Sequence, residues 1–329
     1  MCQYNELPII IPAVTCYAHH TYPLIAIYSQ NKYDSWLFSN YIQLFWEMPR
    51  SALNFAVSYP APCLIQTECI ANDFDKLFSK GISELIVDAI NVGYYVQLQV
   101  DQYYIPYRSA YQKYHISHEE LFSGYDLKNK KFKILGYDSY SIFRESEVDF
   151  DNVRLLRCPA EHAKNNYDVI LMKYKGSCDK EIDIQQIITG IKDYLGCNYF
   201  YKNISKFNHD AYKNDCYFGV NIYDRLIMHC EESEIPDIRF FHVLYEHKKI
   251  MRMRCEFIEQ KLGLSMNSVK WRDFEKRALG LRNRIMKNEL KREKKENYLD
   301  YLKGELRNYL LLDKELMTKM LNELECANR

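Results

Sequence analysis

A thiol, two histidines and a carboxylate are the residues whose types and spacing could carry chemistry in this chain. A nucleophilic cysteine needs its thiolate form, a base to generate it, and a third group holding that base in the right tautomer. Cys16 follows the apolar run Leu7 to Val14 and opens Cys16-Tyr17-Ala18-His19-His20, which leads into Pro23-Leu24-Ile25-Ala26-Ile27-Tyr28. A cysteine heading a helix gains from the macrodipole and from amides not yet used inside it, which favour the thiolate and offer an oxyanion site. Pro23 either kinks that helix or marks its true first turn. The chain holds 11 cysteines, and position singles out Cys16; the others read as small core residues.

The string His115-Ile116-Ser117-His118 supplies two candidate bases. His118 leads into Leu121-Phe122-Ser123-Gly124-Tyr125-Asp126, a polar turn, and then Phe132-Lys133-Ile134-Leu135-Gly136-Tyr137-Asp138. Paired as a hairpin, these segments bring His118 and Asp138 to the same end of adjacent strands, the relation a His–Asp orienting pair needs. His118 and Asp138 are therefore the preferred base and carboxylate. His115 is the alternative base. Asp126 is the alternative carboxylate, although it also reads as a turn residue before Leu127-Lys128-Asn129-Lys130. No Cys-x-x-Cys pair is present, and neither Cys63 with Cys69 nor His242 with His247 has ligand spacing, so no metal or cofactor is expected.

The elements that must position these groups mix helix and strand in the first half. Asn72-Asp73 can cap a helix through Leu77, Phe78, Ile82, Leu85, Ile86, Ala89 and Ile90, ended by Gly93. Tyr94 to Val100 alternates like a strand; Lys131 to Tyr137 and Val169 to Tyr174 are further strands, and Asn54 to Tyr59 a weaker one. The second half reads as helices: Ile184 to Leu195 closed by Gly196, a long one with Pro236 in its first turn and Gly263 after it, and a C-terminal stripe from Leu299 to Leu324. A composition change near Gly176-Ser177 sets the predicted boundary between a catalytic lobe, residues 1–178, and a mainly helical region, residues 179–329.

Composition narrows the setting. With 44 basic and 44 acidic side chains the net charge is zero, which argues against a nucleic-acid partner. No apolar run approaches the roughly 18 residues of a membrane helix, so no membrane partner is expected. Met1 to Tyr17 lacks a basic n-region and a small-residue cleavage site, which predicts a cytoplasmic protein with free thiols. The zero is a cancellation: Lys248 to Arg329 carries 21 Lys and Arg against 13 Asp and Glu. That stretch reads either as a solvated helix surface or as a docking surface for an acidic partner. Seven tyrosines lie between residues 94 and 114; they line a pocket or pack a strand edge, with Gln97 and Gln99 nearby as possible donors to an amide.

Cys16 heading the first helix, Gly93-Tyr94-Tyr95-Val96-Gln97-Leu98-Gln99-Val100-Asp101-Gln102-Tyr103-Tyr104-Ile105-Pro106, His118 and Gly136-Tyr137-Asp138 resemble a family of papain-like cysteine-protease homologues of thiotemplated biosynthesis. The family includes the butirosin-type acyltransferase domain and the closthioamide amide synthetase. The resemblance continues through Gly219-Val220-Asn221-Ile222-Tyr223-Asp224 and Asp237-Ile238-Arg239 to Glu246-His247-Lys248-Lys249. It implies an α+β papain-like fold, an antiparallel sheet with an N-terminal nucleophile helix, followed by a helical C-terminal region. It also implies an acyltransferase or amide synthetase working through a catalytic triad. Cys16 would take an acyl or peptidyl group from a carrier-protein thioester, His118 would act as base and acid, Asp138 would orient it, and a small amine, a diamine in the closthioamide case, would accept the acyl group. A thioesterase or cysteine peptidase using the same residues, or a non-catalytic carrier-binding scaffold, are the alternatives. Papain-like enzymes often place a glutamine just before the cysteine as an oxyanion donor; Pro8 to Thr15 has none, so the Cys16 amide and an unidentified second donor must serve.

Overall fold

Alternating strands and turn-forming polar residues build the first half of the chain, and long amphipathic helices the second. The structure, a computed structural model, describes residues 3–29, 34–47, 51–57, 64–69, 81–155, 169–175, 181–198, 216–233, 236–291 and 296–328. It is α+β, with antiparallel sheets and a helical C-terminal region. The chain divides into two compact units, Met1–Lys32 with Pro60–Asp179, and Tyr33–Tyr59 with Lys180–Arg329. The second unit thus takes residues 33–59 from the segment that the sequence places in the first lobe. Elements are numbered along the chain.

In the first unit, β4 (Leu64–Cys69), β9 (Val169–Tyr174), β5 (Tyr95–Asp101), β6 (Ser117–Asp126), β7 (Lys131–Tyr137) and β8 (Phe143–Asp149) lie side by side in that order, and β1 (Tyr4–Glu6) pairs with β6. Every pairing is antiparallel. β7 and β9 have the bounds that the alternation predicts, and β5 starts one residue later. The β6–β7 turn is closed by Asp126, whose Oδ1 accepts from Asn129 N at 3.0 Å, so it is the turn residue its sequence context indicates.

Strand alternation decides which side chains meet. Leu121 stands opposite Leu135, and Tyr137 opposite Phe143, so Glu119, Leu121, Leu135, Tyr137 and Phe143 share one face. Helix α1 (Ala18–Tyr28) lies on that face: its Tyr22 ring packs 6.1 Å from Phe143, and Thr21 Oγ1 is 3.4 Å from the Tyr137 hydroxyl. The Tyr22 hydroxyl lies 3.0 Å from Glu119 O and 3.1 Å from Leu135 O, where β6–β7 pairing stops. Burial, then the nearby Glu120 carboxylate, push that phenol well above its ordinary pKa. Helix α3 (Ile82–Asn91) takes the other face, where Asn91 Oδ1 accepts the Tyr125 hydroxyl at 2.6 Å. The helix expected to begin at Asn72 is described from Ile82; residues 72–78 lie outside the described residues.

In the second unit, β10 (Cys216–Phe218), β2 (Leu44–Glu47) and β3 (Ala52–Phe55) form a small antiparallel sheet. Residues 58 and 59 of the strand expected to run to Tyr59 lie outside the described residues. The helices are α2 (Asp34–Asn40), α4 (Ile184–Gly196), α5 (Ile222–Glu232), α6 (Ile238–Leu262), α7 (Ser268–Lys291) and α8 (Glu296–Ala327). Asp183 caps α4 by accepting from Gln186 N at 2.8 Å. Gly196 is its last helical residue, and Cys197 takes the left-handed position at φ 54°. Asp237 caps α6 and Gly263 closes it at φ 69°, so Pro236 precedes the cap instead of entering the first turn. The C-terminal stripe is buried at Leu302, Leu306, Tyr309, Leu316, Met320 and Leu324.

Asp313 sits in that same stripe, fully buried, and organises a polar core. Its Oδ2 accepts from Lys248 Nζ at 2.6 Å, the Tyr194 hydroxyl at 2.6 Å and the Tyr223 hydroxyl at 2.9 Å. Lys248 Nζ also lies 2.9 Å from His247 Nδ1, whose Nε2 meets Ile42 O at 2.8 Å. Burial lowers the Lys248 pKa against the pull of Asp313, and burial with the Lys248 charge holds His247 well below its ordinary value. Arg254, also fully buried, donates to Phe38 O at 2.6 Å and Tyr41 O at 2.7 Å, closing the C-terminal end of α2.

Candidate active site

Cys16 is buried, two residues ahead of the first helical residue of α1, with Tyr17 in the extended cap position. The Tyr17 carbonyl accepts from His20 N at 3.0 Å and Thr21 N at 2.9 Å, so the first turn forms directly behind the cysteine. The Tyr137 hydroxyl donates to Thr15 O at 2.6 Å and pins the approach to the helix onto the sheet. Pro23 lies inside α1, neither ending the helix nor marking its first turn.

Asp101 ends β5 opposite Ser117, the last rung of the β5–β6 ladder. The loop of residues 102–116 leaves and returns at that rung, and Gln102 N donates to Ile116 O at 3.0 Å. His115 is therefore carried back to Asp101, and its Nδ1 lies 2.6 Å from Asp101 Oδ2. Asp101 Oδ1 accepts from Tyr103 N at 3.1 Å, and the Tyr103 ring stacks on the imidazole at 4.3 Å and 19°. Asp101 is 7% exposed at its side chain and His115 58%. A buried carboxylate on Nδ1 holds the tautomer that leaves Nε2 as the basic nitrogen.

The loop is tied down on its inner side. Arg108 binds Glu120 through two hydrogen bonds of 2.7 Å, and Gln102 Nε2 adds a third at 3.0 Å. Both charged side chains are fully buried. Burial lowers the Arg108 pKa, but its bonds to Glu120 more than offset this and hold it above its ordinary value. Gly136 makes room: a Cβ there would overlap Glu120 Oε2 and come within 2.8 Å of Arg108 Nη2.

The expected pairing of His118 with Asp138 is not made. His118 stands opposite Val100 and alternates onto the face of Glu120, away from α1; its Nδ1 is 3.3 Å from Glu119 O. Asp138 is buried, but Oδ1 accepts from Tyr140 N at 2.8 Å and Ile142 N at 2.9 Å, and Oδ2 pairs with Arg144. An aspartate followed by free amides at positions two and four satisfies them itself, and this local turn outcompetes a distant histidine. Among the described residues the His–Asp side-chain contact is His115–Asp101. Asp101 escaped sequence reasoning because it looked like the end of a strand; the signal was an aspartate and a histidine bounding one tyrosine-rich loop.

A groove of about 410 Å³ between Pro106, Tyr107, Lys131, Arg144 and Glu147 lies in this unit without including Asp101 or His115. Among the described residues no group of His, Cys, Asp and Glu could hold a metal ion, and no helix is long and apolar enough to cross a membrane. No family model matches the chain, and no curated protein matches it significantly.

Proposed function

We propose that the chain is an amide-forming acyltransferase of the papain-like, carrier-dependent kind, with Cys16 as nucleophile and His115, oriented by Asp101, as base and acid. The Asp101–His115 contact carries this reading. It has the geometry of an orienting pair, and by strand alternation Asp101 belongs to the sheet face on which α1 packs. His118 and Asp138 keep structural duties in this account.

Cys16 attacks the carbonyl carbon of an acyl- or peptidyl-carrier thioester, and the carrier thiol leaves with the proton that His115 took from Cys16. An amine then adds to the Cys16 acyl thioester. His115 takes a proton from the amine nitrogen and returns it to the departing Cys16 sulfur, leaving an amide. Tyr103 and Tyr104 beside His115 offer an aromatic surface for the acyl chain, with Arg154 over the Tyr104 ring at 4.6 Å. The basic C-terminal stretch is the proposed contact for an acidic carrier. Several of its cations are already paired, Lys270 with Glu315 and Arg272 with Glu256 among them, so the carrier would meet a mixed surface.

Exposure of His115 favours a second reading, hydrolysis, because water reaches the base. Incubation with an acyl-loaded carrier, intact-mass measurement, and then addition of a diamine or buffer alone tests both. An adduct that disappears in Cys16→Ala and turns over only with amine is the expected result. Turnover with water alone makes the protein a thioesterase. No adduct on wild type leaves a carrier-binding scaffold.

A further inference from the structure

We infer that Gln99 is the second oxyanion donor of this site; the inference rests on the acyl-transfer reading above. Gln99 lies on β5 two residues before Asp101 and opposite Glu119. Residues two apart on a strand point to the same face, roughly 7 Å apart. Gln99 therefore shares a sheet face with Asp101, Glu119 and Tyr137, next to the carboxylate that holds the base.

Its orientation is fixed. The Ser117 hydroxyl donates to Gln99 Oε1 at 3.2 Å, so the carbonyl end of the amide is taken and the NH₂ end turns away from Ser117. Among the described residues no protein group accepts from Gln99 Nε2, although the residue is 92% buried, with 8% exposure. An amide whose oxygen is occupied and whose N–H groups remain available on a largely buried residue suits a ligand oxygen that gains negative charge. The carbonyl oxygen of an acyl group attacked by Cys16 is such an oxygen.

The Cys16 thiolate adds its electron pair to the thioester carbon, and the carbonyl π pair moves onto oxygen. Gln99 Nε2–H donates to that oxyanion, together with backbone amides at the start of α1. The pair then re-forms the carbonyl, the bond to the carrier sulfur breaks, and that sulfur takes the proton held on His115.

The test compares two reactions of the same thiol in wild type, Gln99→Met and Gln99→Ala. Acylation by an acyl-pantetheine thioester builds an oxyanion, whereas alkylation by iodoacetamide does not. Both are read at Cys16 by peptide mass mapping. Acylation should slow by about 10²–10³-fold in both variants, with the rate and pH dependence of alkylation within about twofold of wild type. Gln99→Met keeps the length of the side chain without adding a charge, and unchanged alkylation reports an intact site. If wild type acylates and the variants acylate equally fast, Gln99 is not the donor while the acyl-transfer reading stands. If alkylation falls in parallel with acylation in both variants, Gln99 only supports the fold. If wild type acquires no acyl group on Cys16, the acyl-transfer reading falls and the donor assignment with it.

Discussion

His115 Nδ1 meets Asp101 Oδ2 at 2.6 Å across fourteen residues of chain, because the loop between them opens and closes on a single rung of the sheet. That contact makes the choice of base testable. Once the wild-type acylation rate is known, His115→Ala should reduce it by about 10²–10⁴-fold, the usual worth of a positioned base. Asp101→Asn should act in the same direction, and His118→Ala should stay within about twofold. A collapse in His118→Ala alone would return the role to His118.

Asp138→Asn tests the structural duty of the other carboxylate. Its side chain holds two amides of its own turn and Arg144. The substitution should lower stability by about 1–3 kcal/mol, seen as a lower urea midpoint, while acylation per folded molecule is retained. Unchanged stability with lost acylation would sink this assignment.

The Lys248–Asp313 pair should behave as a buried charge pair. Asp313→Asn leaves the Lys248 ammonium uncompensated and should cost about 3–5 kcal/mol in denaturant unfolding. Adding Lys248→Met to Asp313→Asn should recover much of that loss, because no charge then remains buried while an amide oxygen at position 313 still accepts from Tyr194 and Tyr223. Additive losses in the double variant would show that packing, not charge, dominates.

His247 gives the helical unit a defined response to acid. It is kept neutral when folded, by burial and by the charges of Lys248 and Arg254, and its ordinary value is 6.5. Its folded value is lowered, so its contribution is complete above pH 6.5 and is lost as pH falls towards the folded value. Below pH 6.5 the unfolded chain binds a proton that the folded chain refuses, worth at most about 1.4 kcal/mol per pH unit. Stability measured by urea unfolding at several pH values should therefore fall less steeply below pH 6.5 in His247→Gln than in wild type. Equal slopes would mean that His247 titrates alike in both states.

Much of the scaffold could be read from the sequence. β7, β9, the buried stripe of α8 and the Gly263 terminus follow from periodicity and from glycine's tolerance of positive φ. The site was only partly legible. Cys16 at the approach to α1 follows from the order of apolar and polar residues, but the choice between His115 and His118 depends on which face a side chain takes. A hairpin argument gives the rung and leaves the face to neighbouring elements. Nor does spacing show that Asp138 closes its own turn, since the competing hydrogen bonds are local. The charge of Lys248 looked like part of a basic surface; its burial depends on Asp313, 65 residues later.

The assignment of residues 33–59 to the second unit sets an order for folding on the ribosome. These residues emerge early, yet Trp36, Phe38, Tyr41 and Trp46 are buried in a unit whose remaining sequence begins at Lys180. Arg254, which closes α2, is synthesised more than 200 residues after Phe38. At about 5–20 residues per second this leaves an apolar segment waiting for ten seconds or more. A nascent chain cut off near residue 178 would carry that segment with no core to receive it, and its life would depend on chaperones.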